Sequence, residues 1–136
     1  MKKTCILSPD RQLTEEEQSL VWKKPPSHIE SEAEKRIYEE IVRNWNRGDM
    51  KISTILLEGD AGSGKTQIAK ALSADFNLPY TKVTCFADID KSDVLGSIFP
   101  VLSEEDVHSD KVEYRYYPAE IVRAYENGRL LEIQEP

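Results

Sequence analysis

The chain has 136 residues, 39% apolar and 32% charged, with a formal net charge of −7. That balance belongs to a soluble globular chain with room for one ordinary domain, and no apolar run approaches the roughly 20 residues that span a bilayer. The acidic excess opposes a general attraction to nucleic acid phosphates, and Cys5 and Cys85 form neither a zinc motif nor a disulfide framework.

The N-terminus, "MKKTCILSPDR", carries basic residues but only a three-residue apolar stretch, so no leader is read and a cytoplasmic protein is expected. Residues 1–26 read as an N-terminal arm with a short helix in "LTEEEQSLVW". Thr14 and Glu17 have capping-box spacing there, and Pro25 and Pro26 close the segment. "SHIESEAEKRIYEEIVRNWNRG" follows, with a second such box at Ser27 and Glu30. Ile29, Ala33, Ile37, Ile41 and Trp45 at four-residue steps predict a long amphipathic helix ending near Gly48. Its charged positions read as a solvated face.

"STILLEG", residues 53–59, is a continuous apolar run bounded by glycine, the pattern of a strand buried on both faces of a parallel sheet. "KTQIAKALSADF" predicts a helix with Ile68, Ala69, Leu72 and Phe76 inward, and "YTKVTCF" a second strand. Strand, helix, strand is a βαβ unit, so the fold class is α/β with a parallel sheet flanked by helices. A short helix around Ser92 to Leu95, a polar loop "SEEDVHSD" and an alternating "KVEYRYY" then predict a hairpin or β-insertion. Tyr114, Tyr116 and Tyr117 read as its packing residues. "PAEIVRAYENG", with Pro118 in the first turn and Gly128 as C-cap, delivers the chain into a closing strand, "LLEIQE", with Leu130, Leu131 and Ile133 as its buried residues.

Between the first strand and its helix stands "GDAGSGKT", which fits G-x-x-x-x-G-K-[ST] with Gly59, Gly64, Lys65 and Thr66. Polyphosphate carries several negative charges, and a glycine-rich turn lets backbone N–H groups converge on them where a Cβ would intrude. The helix that starts at Lys65 adds its positive end. The expected cofactors are ATP and Mg²⁺, with Gly59, Asp60, Ala61, Gly62, Ser63, Gly64, Lys65, Thr66 and Gln67 around the nucleotide and Thr66 on the metal. The alternative for the glycines is a plain tight strand-to-helix turn. No N-K-x-D guanine signature exists. His28 and His108 stand alone without a Cys/His cluster, which argues against a metal centre.

The run from Ile55 to Pro100, followed by "YYPAEIVRAYENGRLLEIQEP", resembles the MoxR-like branch of AAA+ ATPases. Asp93-Val94-Leu95-Gly96 looks like that branch's "DLLG" motif, and Ala124 to Gly128 like the "A-x-x-x-G" helix that leads into the Walker B strand. The resemblance covers about residues 28–136. It implies an ATP hydrolase working as a homo-oligomeric ring on a client or adaptor protein, with Lys65 and Glu135 as catalytic residues. It also implies that His28 and Ile29 lie where the family's chain passes the adenine. Where the family has an Asp before its catalytic Glu, this chain has Gln134, which brings no charge and holds Mg²⁺ weakly, through water. Glu132 shares Gln134's face of the strand and either lends charge there or pairs with a neighbouring Lys or Arg.

The expected organisation is thus an arm over 1–26 and, over 27–136, a P-loop NTPase domain running from Walker A to Walker B and incomplete at its C-terminus. The family's sensor strand, arginine finger and lid find no counterpart in the sequence. Two further readings stand beside the ATPase: a module that holds ATP without turning it over, and a P-loop kinase of a small metabolite.

Overall fold

The computed structural model describes residues 4–48, 51, 53–86, 89–101 and 113–134. These residues fall in two compact units, over 1–80 and 81–136.

In the first unit, β1 (Thr4–Cys5) and β2 (Ser8–Gln12) form a small antiparallel hairpin. Helix α1 (Glu15–Ser19) starts as its spacing requires: the Thr14 hydroxyl accepts from Glu17 N at 3.2 Å, and the Glu17 carboxylate accepts from Thr14 N at 3.3 Å. An ion pair with Arg11 holds the same carboxylate from outside the helix. The core gathers Cys5, Leu13, Val21, Ile41, Ala69, Ala71, Leu72 and Phe76, with the Phe76 ring stacked on Tyr38 at 5.0 Å.

Helix α2 (Glu32–Trp45) begins one turn later than its sequence pattern predicts. Ser31, not Ser27, is the cap, its hydroxyl accepting from Glu34 N at 3.2 Å, and Ile29 is 87% exposed. The sequence writes S-x-x-E twice in succession, and the second pair prevails for an electrostatic reason. Glu34 is buried, and its carboxylate meets Lys24 Nζ at 3.1 Å and His28 Nε2 at 3.0 Å. A carboxylate can be taken out of water only with such partners, and a helix starting at Ser27 would have drawn His28 into its first turn.

The buried strand expected over 53–59 is not formed. The segment is irregular, with Ile55 47% and Leu56 81% exposed. A strand exists only when a neighbour takes up its N–H and C=O groups, and among the described residues no strand pairs with this one. Helix α3 (Lys65–Phe76) follows with the bounds its pattern predicts, because its hydrogen bonds are internal. Asn77 ends it in the left-handed region, at φ 53°, which asparagine tolerates.

The second unit takes in most of β3 (Tyr80–Thr84), which pairs with the closing strand β6 (Leu130–Gln134); the Cys85 N–H to Gln134 C=O bond of 2.8 Å extends the ladder. Between them lie α4 (Lys91–Leu95), an antiparallel hairpin of β4 (Ser97–Val101) and β5 (Glu113–Tyr117), and α5 (Glu120–Asn127). The expected hairpin is therefore present, while its polar connection and His108 lie outside the described residues. Its tyrosines are more open than packing residues should be, at 68%, 50% and 42% exposed for Tyr114, Tyr116 and Tyr117. Pro118 does not enter the first turn of α5: Ala119 is the cap, and the proline's fixed φ serves the extended approach to it. Gly128 caps the other end at φ 61° as predicted. In β6, Leu130 and Leu131 are half-buried but Ile133 is exposed, since β3 is its only strand neighbour among the described residues.

Candidate functional site

The glycine-rich stretch and the first turn of α3 make one continuous structure. Gly62 and Gly64 sit at φ 80° and 92°, values that L side chains rarely adopt, and these two residues turn the chain from the irregular segment into the helix. A Cβ at Gly59 would stand 2.8 Å from Ser63 Oγ, a side-chain atom that can rotate aside. Within the turn Ser63 N donates to Asp60 O at 3.1 Å.

Ile68 is the first residue of α3 whose N–H is taken up inside the helix, by Gly64 O at 3.0 Å, and no side chain caps the start. The N–H groups of Lys65, Thr66 and Gln67 therefore have no acceptor within the helix, and they lie at its positive end. Lys65 folds back over the loop. Its ammonium donates to Asp60 O at 3.0 Å and, in a closer contact, to Gly59 O. Residues 59–63 and Gln67 are exposed, while Gly64, Lys65 and Thr66 are half-buried. Together they set backbone donors of one sign at a helix start beside a cation, which is chemistry for an anion with several oxygens.

The remaining expected residues are distributed differently. Gln134 is the last described residue of β6, in the second unit, and its backbone carbonyl is taken by Cys85 N. Glu135 lies outside the described residues. Asp93 and Gly96 turn out to hold architecture. Asp90 and Asp93 form a reciprocal cap at the start of α4, and hydrogen bonds from Ser92 and Asp93 hold the Asp90 carboxyl below the usual carboxylate range. Gly96, at φ 104°, lets the β5–α5 corner come so close that a Cβ would stand 2.2 Å from Tyr117 O and 2.8 Å from Ala119 N. His28, a lone histidine in the sequence, is bound to Glu34 and packs edge-on against Trp22 at 6.0 Å. It stands six positions before Glu34, ahead of the start of α2, and no periodic pattern marks that pairing.

Lys24 joins the same cluster. It reaches Asp75 Oδ1 of α3 at 2.6 Å as well as Glu34, and although burial works against its charge, the hydrogen bonds it donates to both carboxylates raise its pKa above the ordinary lysine value. Among the described residues no group of three or more His, Cys, Asp or Glu side chains is arranged to hold a metal, and no helix is long and apolar enough to cross a membrane.

Residues 54–135 match the model of a family described as AAA domain (dynein-related subfamily). Among curated proteins, an uncharacterized protein of Staphylococcus epidermidis is 36% identical over 81 residues, covering 60% of this chain and 29% of its own length. An uncharacterized protein of Staphylococcus saprophyticus is 32% identical over 98 residues, 71% of this chain and 36% of its own, and one of Staphylococcus haemolyticus is 35% identical over 81 residues. The chain spans about a third of the length of the curated relatives it matches. No solved structure matches it significantly.

Proposed function

The chain belongs to the AAA domain family of the dynein-related subfamily, and on that footing we propose that it is the ATP-binding part of an AAA+ ATPase of MoxR type. The observation that carries this reading is the loop from Gly59 to Thr66. Two left-handed glycines lead into a helix start that no side chain caps, and the Lys65 ammonium lies over the same turn.

The residues present fit ATP with Mg²⁺. Gly59 O and Asp60 O, the carbonyls that now accept from Lys65, stand where an anionic oxygen would compete for the ammonium. Backbone N–H groups of residues 62 to 67 would hold the phosphates, and the Lys65 ammonium would be the cation for the β- and γ-phosphates. The Thr66 hydroxyl would be the protein's ligand for the metal, which would supply neutralisation of charge on the transferring phosphoryl group. Glu135 would, in this reading, orient the attacking water, and Gln134 would bring no charge to the metal's surroundings. In this reading the assembly is a homo-oligomeric ring that spends hydrolysis on remodelling a client or adaptor protein.

Gln134 favours a second reading, in which the module holds ATP without turning it over. A carboxamide at that position removes one negative charge from the metal's surroundings. Binding of a fluorescent ATP analogue with Mg²⁺, compared between wild type and Lys65→Ala, tests what both readings share. A loss of about tenfold or more is expected on removing a charge-assisted phosphate contact; equal affinity for the two proteins would remove the loop from the site. Phosphate release by wild type and Glu135→Gln then separates hydrolysis from holding, since only an enzyme slows on that exchange.

A further inference from the structure

Residues 4–24 lie outside the stretch matched by the family model, yet they are bonded to the far end of the P-loop helix. Ile6 N donates to Phe76 O at 3.0 Å, and Asn77 Nδ2 donates to Thr4 O at 2.7 Å. Asn77 Oδ1 accepts from Gln18 Nε2 at 3.1 Å, and Ser73 Oγ accepts from Trp22 N at 3.1 Å. Lys24 pairs with Asp75, and Tyr80 N, just past the helix, donates to Leu20 O at 3.0 Å. Cys5 and Phe76, each 1% exposed, share the core beneath.

We propose that this N-terminal segment is a clamp on the C-terminal end of α3 that is coupled to nucleotide at its N-terminal end, with Asn77 as the positioning residue. The proposal rests on the ATP-binding reading. A 12-residue helix transmits tilt and displacement along its length, because its own hydrogen bonds keep it stiff. Fixing one end therefore sets where Lys65, Thr66 and the open N–H groups stand at the other. Asn77 is suited to the task because one side chain bridges two parts of the segment, Thr4 and Gln18, while its backbone stops the helix.

The seam is not fully satisfied, which gives it room to change state. Gln18 Oε1 and Asp75 Oδ2 are buried with no hydrogen-bond partner among the described residues. A buried acceptor without a donor carries a desolvation cost that a small shift of the helix can relieve.

The chain supplies its own reporters, since both of its tryptophans sit on this seam or beside it. Trp22 binds Ser73 through its backbone, and Trp45 Nε1 donates to Leu7 O at 2.8 Å. The experiment titrates the full chain with ATP·Mg²⁺, following intrinsic tryptophan emission and, separately, displacement of a fluorescent ATP analogue. The emission is expected to change and to saturate with the displacement curve, and Lys65→Ala to abolish both. Asn77→Gly keeps the left-handed backbone but removes both bridges, and Gln18→Ala removes one without touching the backbone. Each is expected to keep the wild-type circular dichroism while weakening ATP, by about tenfold for Asn77→Gly and less for Gln18→Ala. Normal ATP binding with silent tryptophans in wild type, or wild-type affinity in both variants, would overturn the clamp alone. Failure of wild type to bind the analogue at all would instead remove the ATP reading on which the clamp depends.

Discussion

The helix that follows the glycine loop and the apolar segment that precedes it make an instructive pair. Both are apolar in sequence, and both were expected to be buried around the loop. Helix α3 forms from Lys65 to Phe76 and puts Ala71 and Phe76 at 0% and 1% exposure, whereas Leu56 stands 81% exposed in a segment with no strand partner among the described residues. A helix satisfies its backbone from within, and a strand must be completed by another strand. Apolar composition alone therefore does not bury a residue; a backbone that can leave water must come first.

The sharpest way to break that contrast is a pair of alanine substitutions. Phe76→Ala removes a ring stacked on Tyr38 in the core and is expected to cost about 3–5 kcal/mol in urea unfolding. Leu56→Ala is expected to stay within about 0.5 kcal/mol of wild type, as surface changes do. Comparable losses from the two would mean that the segment over 53–59 is a buried strand after all.

A smaller effect tests whether turns obey the same logic as elements. Gly96→Ala sets a Cβ against Tyr117 O at a φ of 104°, so strain and collision add, and about 2–4 kcal/mol is expected in thermal unfolding. Gly62→Ala meets nothing within 4 Å and should lose only about 1 kcal/mol, from its φ of 80°. If Gly96→Ala were the milder of the two, the close approach at the β5–α5 corner would be wrong.

These cases show where the sequence was readable. The cap at Thr14, the whole of α3, the β-hairpin after "DVLG" and the glycine loop are encoded within a few residues of each other, and each stands where its pattern indicated. The strand over 53–59 depended on a neighbour elsewhere, and the start of α2 on a competition between Ser27 and Ser31 that Lys24 and His28 decided through space. The attachment of residues 4–24 to α3 was the least legible of all. Asn77 and Thr4 are 73 positions apart, and a single amide carries no periodicity. The glycine loop is one contiguous motif and could be read as such, whereas Gln134 stands at the end of β6 and Glu135 falls outside the described residues.

The smallest expected effect lies at the most local end of the comparison, the cap of α1. Burial raises the Glu17 carboxyl, but the hydrogen bond and charge of Arg11, with the Thr14 N–H, outweigh it and hold the group below its usual value. A carboxylate whose folded pKa is depressed contributes stability above its unfolded value of about 4.3 and loses it as pH falls through the folded value. Glu17→Gln keeps a capping-box residue while deleting the charge, so it should cost under ~1 kcal/mol at pH 7. Urea midpoints of the two proteins should converge as the pH drops below the ordinary glutamate range. A difference that stayed constant from pH 7 down to about 3 would show that the carboxylate's geometry, and not its charge, supports the helix.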